Sequence, residues 1–202
     1  MDRRVILLPF LAVVAVVLAG ALWHLGDLAA HRNIDSVATG ETVNIGGPFK
    51  LIDQDGTTRT DQDYRGKYML VFFGYTYCPD VCPTTLAVMK AALEMMGSRA
   101  GNIAPLFITV DPKRDTPAKL KSYLSSFGPR FIGLTGDDKA IAAVAKEYRV
   151  FYQVHPAENG GDYTVDHSGV VYLMDTGGKY VANYSLQNSP DMMAQDLLKH
   201  LR

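Results

Sequence analysis

The chain opens on an apolar block and then changes character. Of the 19 residues from Val5 to Trp23, 17 are apolar and none is charged. Beyond it the apolar runs are short and separated by polar stretches. Phe49-Lys50-Leu51-Ile52 followed by Asp53-Gln54-Asp55-Gly56 predicts a strand and a turn. Lys67 to Tyr75 (KYMLVFFGY) and Ala104 to Val110 (APLFITV) are near-continuous apolar runs of strand length, the pattern of strands covered on both faces. Between them, Pro83 to Met96 puts Leu86, Met89, Leu93 and Met96 on one helical face, and Pro83 suits a first turn, where its missing N–H costs nothing. Thr116-Pro117 opens a second helix with Leu120, Tyr123, Leu124 and Phe127 on one face, stopped by Gly128-Pro129. Phe131 to Leu134 predicts a short strand, and Asp137 to Tyr148 a third helix with Ile141, Val144, Ala145 and Tyr148 on one side. Tyr163 to Val165 and Val170 to Asp175 predict strands; Thr176-Gly177-Gly178-Lys179 turns the chain into Tyr180 to Tyr184, and Ser189-Pro190 caps a last helix to Leu201.

This order predicts an α/β fold: early alternation implies parallel strands joined by right-handed crossovers, and the late hairpin adds antiparallel ones. The expected architecture is a thioredoxin-like mixed sheet flanked by helices, with one extra helix–strand insertion and one N-terminal transmembrane helix before it. Residues 1–4 read as a cytoplasmic N-terminus, 5–23 as a transmembrane anchor, 24–47 as a tether and 48–202 as the thioredoxin-like domain. At 1.5 Å per residue the apolar block spans roughly 28 Å, about one hydrocarbon core. Arg3 and Arg4 orient it with the N-terminus in the cytoplasm. The alternative is a cleaved signal peptide ending at the small residues Ala19-Gly20-Ala21. Four residues before the block leave no room for a mitochondrial transit peptide, so the expectation is a single-pass protein of a bacterial inner membrane with its domain in the periplasm.

Charge adds an exclusion. With 20 basic and 21 acidic residues the net charge is −1, which gives no polybasic footprint for nucleic acid. The 202 residues contain only two cysteines, Cys78 and Cys82, which excludes a multi-disulfide scaffold and an all-cysteine zinc site.

Those two cysteines lie in Cys78-Pro-Asp-Val-Cys82-Pro, where a buried strand is predicted to give way to a helix. Backbone N–H groups and the helix dipole at such a junction favour thiolate over thiol. In an oxidising compartment a close pair forms a disulfide unless it is reduced or metallated. Two uses stay open at this point: thiol–disulfide exchange, or a soft metal such as Cu(I) or Zn(II) with a third ligand to be found. Of the five histidines, His24 and His31 fall at the membrane edge or in the tether, His200 in the last helical turn, and His155 before a proline in a glycine-rich loop. His167, in Val165-Asp166-His167-Ser168, falls in a tight link between two strands and suits a ligand or a hydrogen-bonded structural residue equally.

FFGYTYCPDVCPTTL, TVDPKRDTPAKLKSYLSSFGPRFIGLTGD and DYTVDHSGVVYLMD, in this order, resemble the Sco/SenC family of copper-binding, thioredoxin-like proteins required for cytochrome c oxidase assembly. The resemblance covers about Gly46 to Leu201. It implies that Cys78, Cys82 and His167 bind one copper ion, as Cu(I) in a trigonal site or as Cu(II) with a fourth ligand such as water or a carboxylate. Asp80 and Asp166 are then candidates to hydrogen-bond the ligands or, equally, turn or cap residues, while Asp111 and Asp115 read as loop and cap residues. The implied function is a metallochaperone that passes copper to the binuclear site of oxidase subunit II, served by an upstream periplasmic copper donor or thiol reductant. The alternative is a thiol–disulfide oxidoreductase with Cys78 as attacking thiolate, which reduces the target's copper-ligand cysteines or acts in redox signalling. A peroxiredoxin-like peroxidase is a third reading.

Overall fold

The computed structural model describes residues 44–157 and 162–201. The expected anchor at 5–23, most of the expected tether, His24 and His31 lie outside the described residues. Among the described residues, no helix is long and apolar enough to cross a membrane.

The described residues form nine strands: β1 (Lys50–Asp53), β2 (Thr58–Thr60), β3 (Tyr68–Gly74), β4 (Ile103–Thr109), β5 (Ile132–Thr135), β6 (Tyr152–His155), β7 (Thr164–His167), β8 (Val171–Met174) and β9 (Tyr180–Tyr184). Four α-helices accompany them: α1 (Val81–Met95), α2 (Pro117–Ser125), α3 (Asp138–Glu147) and α4 (Pro190–His200). Seven strands form one mixed sheet in the order β2-β1-β5-β4-β3-β8-β9, and β6 and β7 form a separate antiparallel hairpin. β3, β4 and β5 are parallel, with α1 and α2 as their crossovers; β8 runs antiparallel beside β3. The mixed sheet flanked by helices is the architecture the element order predicts.

The centre of the sheet is apolar because β3 and β4 are covered on both faces. Leu70, Val71, Phe72 and Phe73 on β3 and Leu106, Phe107 and Ile108 on β4 have no exposed surface. Phe72 and Phe107 are register partners on one face, where Tyr123 of α2 packs on Phe107 at 5.9 Å between ring centroids. Phe73 points the other way, onto Tyr148 at the end of α3, 5.3 Å away. Side-chain alternation along a strand separates the two layers.

Three local differences from the sequence reading matter. α1 begins at Val81, two residues before Pro83, so the helix already contains Cys82. Tyr152–His155, expected as part of a loop, is a strand that pairs with the segment carrying His167. Gly46, assigned by sequence to the tether, is fastened to the domain: its N–H donates to the Glu147 carbonyl at 2.9 Å.

Candidate metal centre

The site lies at the C-terminal ends of the parallel strands β3 and β4. After Gly74 the chain leaves β3, turns with the Cys78 N–H donating to the Tyr75 carbonyl at 3.2 Å, and enters α1. Cys78 is half-buried just before the helix, and Cys82 is fully buried in its first turn. Gly74 is required by close approach: a Cβ there would stand 2.7 Å from the Cys82 sulfur and 2.9 Å from the Phe107 ring. Any larger residue would push Cys82 out of place.

His167 reaches the same point from β7. Its Nε2 lies 3.2 Å from the Cys82 Sγ, and the two sulfurs and an imidazole nitrogen all fall within 4.8 Å of one another. The ring is held edge-on by Tyr75 at 5.8 Å and Phe72 at 6.0 Å. On its other side, Nδ1 is 3.2 Å from the Ser168 carbonyl. A carbonyl only accepts, so this contact places the ring proton on Nδ1 and leaves the Nε2 lone pair facing the sulfurs. That is the second-nitrogen arrangement by which proteins orient metal-ligating histidines.

The thiols are electrostatically unequal. Cys82 hydrogen-bonds the Cys78 sulfur through its side chain and, at 3.4 Å, through its N–H. Together with the Asp80 N–H, this outweighs burial and lowers the Cys78 pKa to about 4. Cys82 is the donor of that shared proton and is buried, so its own pKa is pushed up. The metal-free pair therefore holds one proton: a partly exposed thiolate at Cys78 and a buried thiol at Cys82.

The Asp80 and Asp166 carboxylates are engaged away from the three ligands. Asp80 is the residue before α1, exposed, with its carboxylate accepting from Thr84 Oγ1 at 3.4 Å; it acts on Cys78 through its backbone N–H. Asp166 is 71% exposed and paired with His155 Nε2 at 2.9 Å. As the neighbour of His167 on a strand it points to the opposite side of the hairpin. His155, placed by sequence in a glycine-rich loop, ends β6 and pairs with Asp166.

Asp111 and Asp115, expected as loop and cap residues, are both buried. The α2 cap is Thr116, whose hydroxyl accepts from the Lys119 N–H. Asp115 accepts from the Thr76 N–H at 3.0 Å, the Thr76 hydroxyl at 2.6 Å and the Thr109 hydroxyl at 2.7 Å, which fixes the turn before Cys78. Burial nevertheless holds its carboxyl above the usual range. Asp111 accepts from Arg114 Nε and, at 2.6 Å, from the Tyr163 hydroxyl. Tyr75, Arg114 and Tyr163 were not singled out from the sequence. No ligand-like spacing marks them, since they act by stacking and by contacts across the fold.

Comparisons agree with this geometry. A family model described as SCO1/SenC matches residues 37–202. An SCO2-like protein of Rickettsia conorii is 44% identical over 158 residues, 78% of this chain and 77% of that protein. Among solved structures, ScoI of Bradyrhizobium japonicum with copper bound is similar at a TM-score of 0.72 and 49% identity, covering 77% of this chain and 99% of that one. Yeast Sco1 with copper bound gives 0.73 and 39%, covering 78% and 88%. The matched stretch contains both cysteines and the histidine of the site, and the chain belongs to the SCO1/SenC family.

Proposed function

We propose that this chain is a copper chaperone anchored in a bacterial inner membrane, which binds one copper ion through Cys78, Cys82 and His167 and delivers it to the binuclear site of cytochrome c oxidase subunit II. The observation that carries this reading is the convergence of two sulfurs and one imidazole nitrogen, with no carboxylate among them, within 4.8 Å. Two thiolates and an imidazole suit Cu(I) in a trigonal site; Cu(II) would add a fourth ligand, which the turned-away carboxylates of Asp80 and Asp166 leave to water. The relatives with copper bound support copper over zinc.

The asymmetry of the pair suits delivery. Cys82 and His167 are set in the fold, whereas Cys78 lies on the accessible side. An incoming target thiolate meets the ion from the Cys78 side, shares it, and takes it as Cys78 lets go. The apolar block 5–23 and the basic Arg3 and Arg4 support the membrane anchor and a periplasmic domain. An upstream periplasmic copper donor or thiol reductant would load or reset the site.

The test is transfer. Copper-loaded protein mixed with the metal-free soluble domain of subunit II should lose its copper to that domain. Retention of copper by the chain, while free Cu(I) loads the same target, would count against the reading.

The unequal thiols favour a second reading as well. A Cys78 thiolate would attack a target disulfide, and Cys82, after losing its proton, would displace the target from the mixed disulfide. The target leaves as a dithiol and the chain keeps the Cys78–Cys82 disulfide, to be reduced by an external thiol. Stoichiometric reduction of oxidised subunit II by the metal-free chain, absent in Cys78→Ser, distinguishes this route from delivery.

A further inference from the structure

The third ligand comes from a part of the fold with no ladder to the rest. β6 and β7 pair only with each other among the described residues, so beyond the short link from His167 to β8 it is side chains that hold the hairpin against the cysteine turn. The loop between β4 and α2 supplies them in adjacent positions. Asp115 grips the cysteine side through Thr76. Arg114 grips the histidine side: Nη1 donates to the Tyr163 carbonyl at 2.9 Å, and the guanidinium lies 3.6 Å from the centre of the Tyr163 ring. The Tyr163 hydroxyl closes the loop by donating to Asp111, which also accepts from Arg114 Nε.

The same guanidinium faces the cysteine segment. It lies 4.6 Å from the ring of Tyr77, the residue before Cys78, and 5.7 Å from that of Tyr75. Tyr75 in turn accepts the Val165 N–H at 3.4 Å and meets the His167 ring edge-on. The Arg114 side chain is only 13% exposed, and its hydrogen bonds go to Asp111 and Tyr163 rather than to the three ligands.

We infer that Arg114 is a positioning residue of the metal site: it fastens the hairpin that carries His167 to the loop that carries Cys78, so that the third ligand is preorganised before copper arrives. This rests on the three-ligand copper reading above. A planar fork that bonds two acceptors while stacking on aromatic rings is a task for arginine that lysine performs only in part.

The experiment is a double-mutant cycle on Cu(I) affinity, read by competition with a chromophoric Cu(I) chelator. Arg114→Gln should weaken binding about 10-fold, in the range that loss of an outer partner of a metal ligand costs. Arg114→Lys should recover part of that loss, and Tyr163→Phe should fall between wild type and Arg114→Gln. In a His167→Ala background Arg114→Gln should have no further effect, because the ligand it positions is gone. In the Cu(II) form, Arg114→Gln should also diminish the imidazole nitrogen couplings in the electron paramagnetic resonance spectrum. An equal loss with and without His167, or no loss with His167 present, overturns the inference. If Arg114→Gln does not fold, Arg114→Lys and Tyr163→Phe carry the same cycle. If His167→Ala alone leaves affinity unchanged, the three-ligand reading fails first and the inference with it.

Discussion

The Nε2 of His167 stands 3.2 Å from the Cys82 sulfur across 85 positions of chain. That contact joins the main sheet, through α1, to the separate β6–β7 hairpin, and it separates metal binding from thiol exchange as uses for the cysteine pair. Exchange needs two sulfurs; a third donor serves an ion.

His167→Ala should therefore act on one activity only. Cu(I) affinity should fall by more than the roughly 10–100-fold that follows loss of an outer-shell partner. The Cys78–Cys82 reduction potential, measured against a glutathione buffer, should stay nearly unchanged. A mutant that binds copper as tightly as the parent would remove the histidine from the site.

Cys78 should be the reactive thiol, with a pH profile that reports its partner. Its pKa of about 4 keeps it a thiolate as pH falls, and it protonates only as pH drops through that value. Alkylation of the reduced, metal-free protein with iodoacetamide should thus be nearly flat from about pH 6 to 8. Cys82→Ala removes the largest cause of the shift, so the rate should then climb through the ordinary thiol range near pH 8.5. A wild-type profile already centred near 8.5 would contradict the shared-proton arrangement.

Copper binding should release about one proton at pH 7, where two ordinary thiols would release about two, because only Cys82 still carries a proton to lose. Calorimetry in buffers of different ionisation enthalpy measures the number. Two protons released would show that Cys78 is protonated in the metal-free state.

Asp115 tests the framework beneath the site. Asp115→Ala strands three donors, the Thr76 N–H and the hydroxyls of Thr76 and Thr109, and should cost about 3 kcal/mol in urea unfolding. Asp115→Asn keeps acceptors for most of them and should cost less. Because the folded carboxyl is held above its unfolded value, the folded chain binds the proton more tightly. Wild-type stability relative to Asp115→Asn should then decline as pH rises from about 4 through the folded value, and level off above it. A relative gain with rising pH would show a carboxylate stabilised by its neighbours rather than strained by burial.

The parts legible in the sequence are those with a one-dimensional signal. β3 and β4 are continuous apolar runs because both faces are covered, and α3 shows its Ile141, Val144 and Tyr148 stripe because only one face is. Cys78 and Cys82 stand out by spacing. β2 and β6 escaped, since Thr58–Thr60 is a three-residue edge strand and Tyr152–His155 is half-exposed, with no apolar face to reveal it. His167 came from the resemblance, not from periodicity. The burial of Asp111 and Asp115 was hidden because charged residues in a Pro-containing loop read as solvated; only the fold brings Thr76, Thr109 and Tyr163 to them. Asp166 is next to His167 in sequence, but strand alternation turns it to the far side of the hairpin, which proximity along the chain does not reveal.

X-ray absorption at the copper edge addresses the three-ligand site most directly. The Cu(I)-loaded protein should show two sulfur donors and one nitrogen donor, and His167→Ala should lose the nitrogen and keep both sulfurs. A nitrogen shell unchanged in His167→Ala, or a wild-type ion with fewer than two sulfurs, would contradict copper held by Cys78, Cys82 and His167.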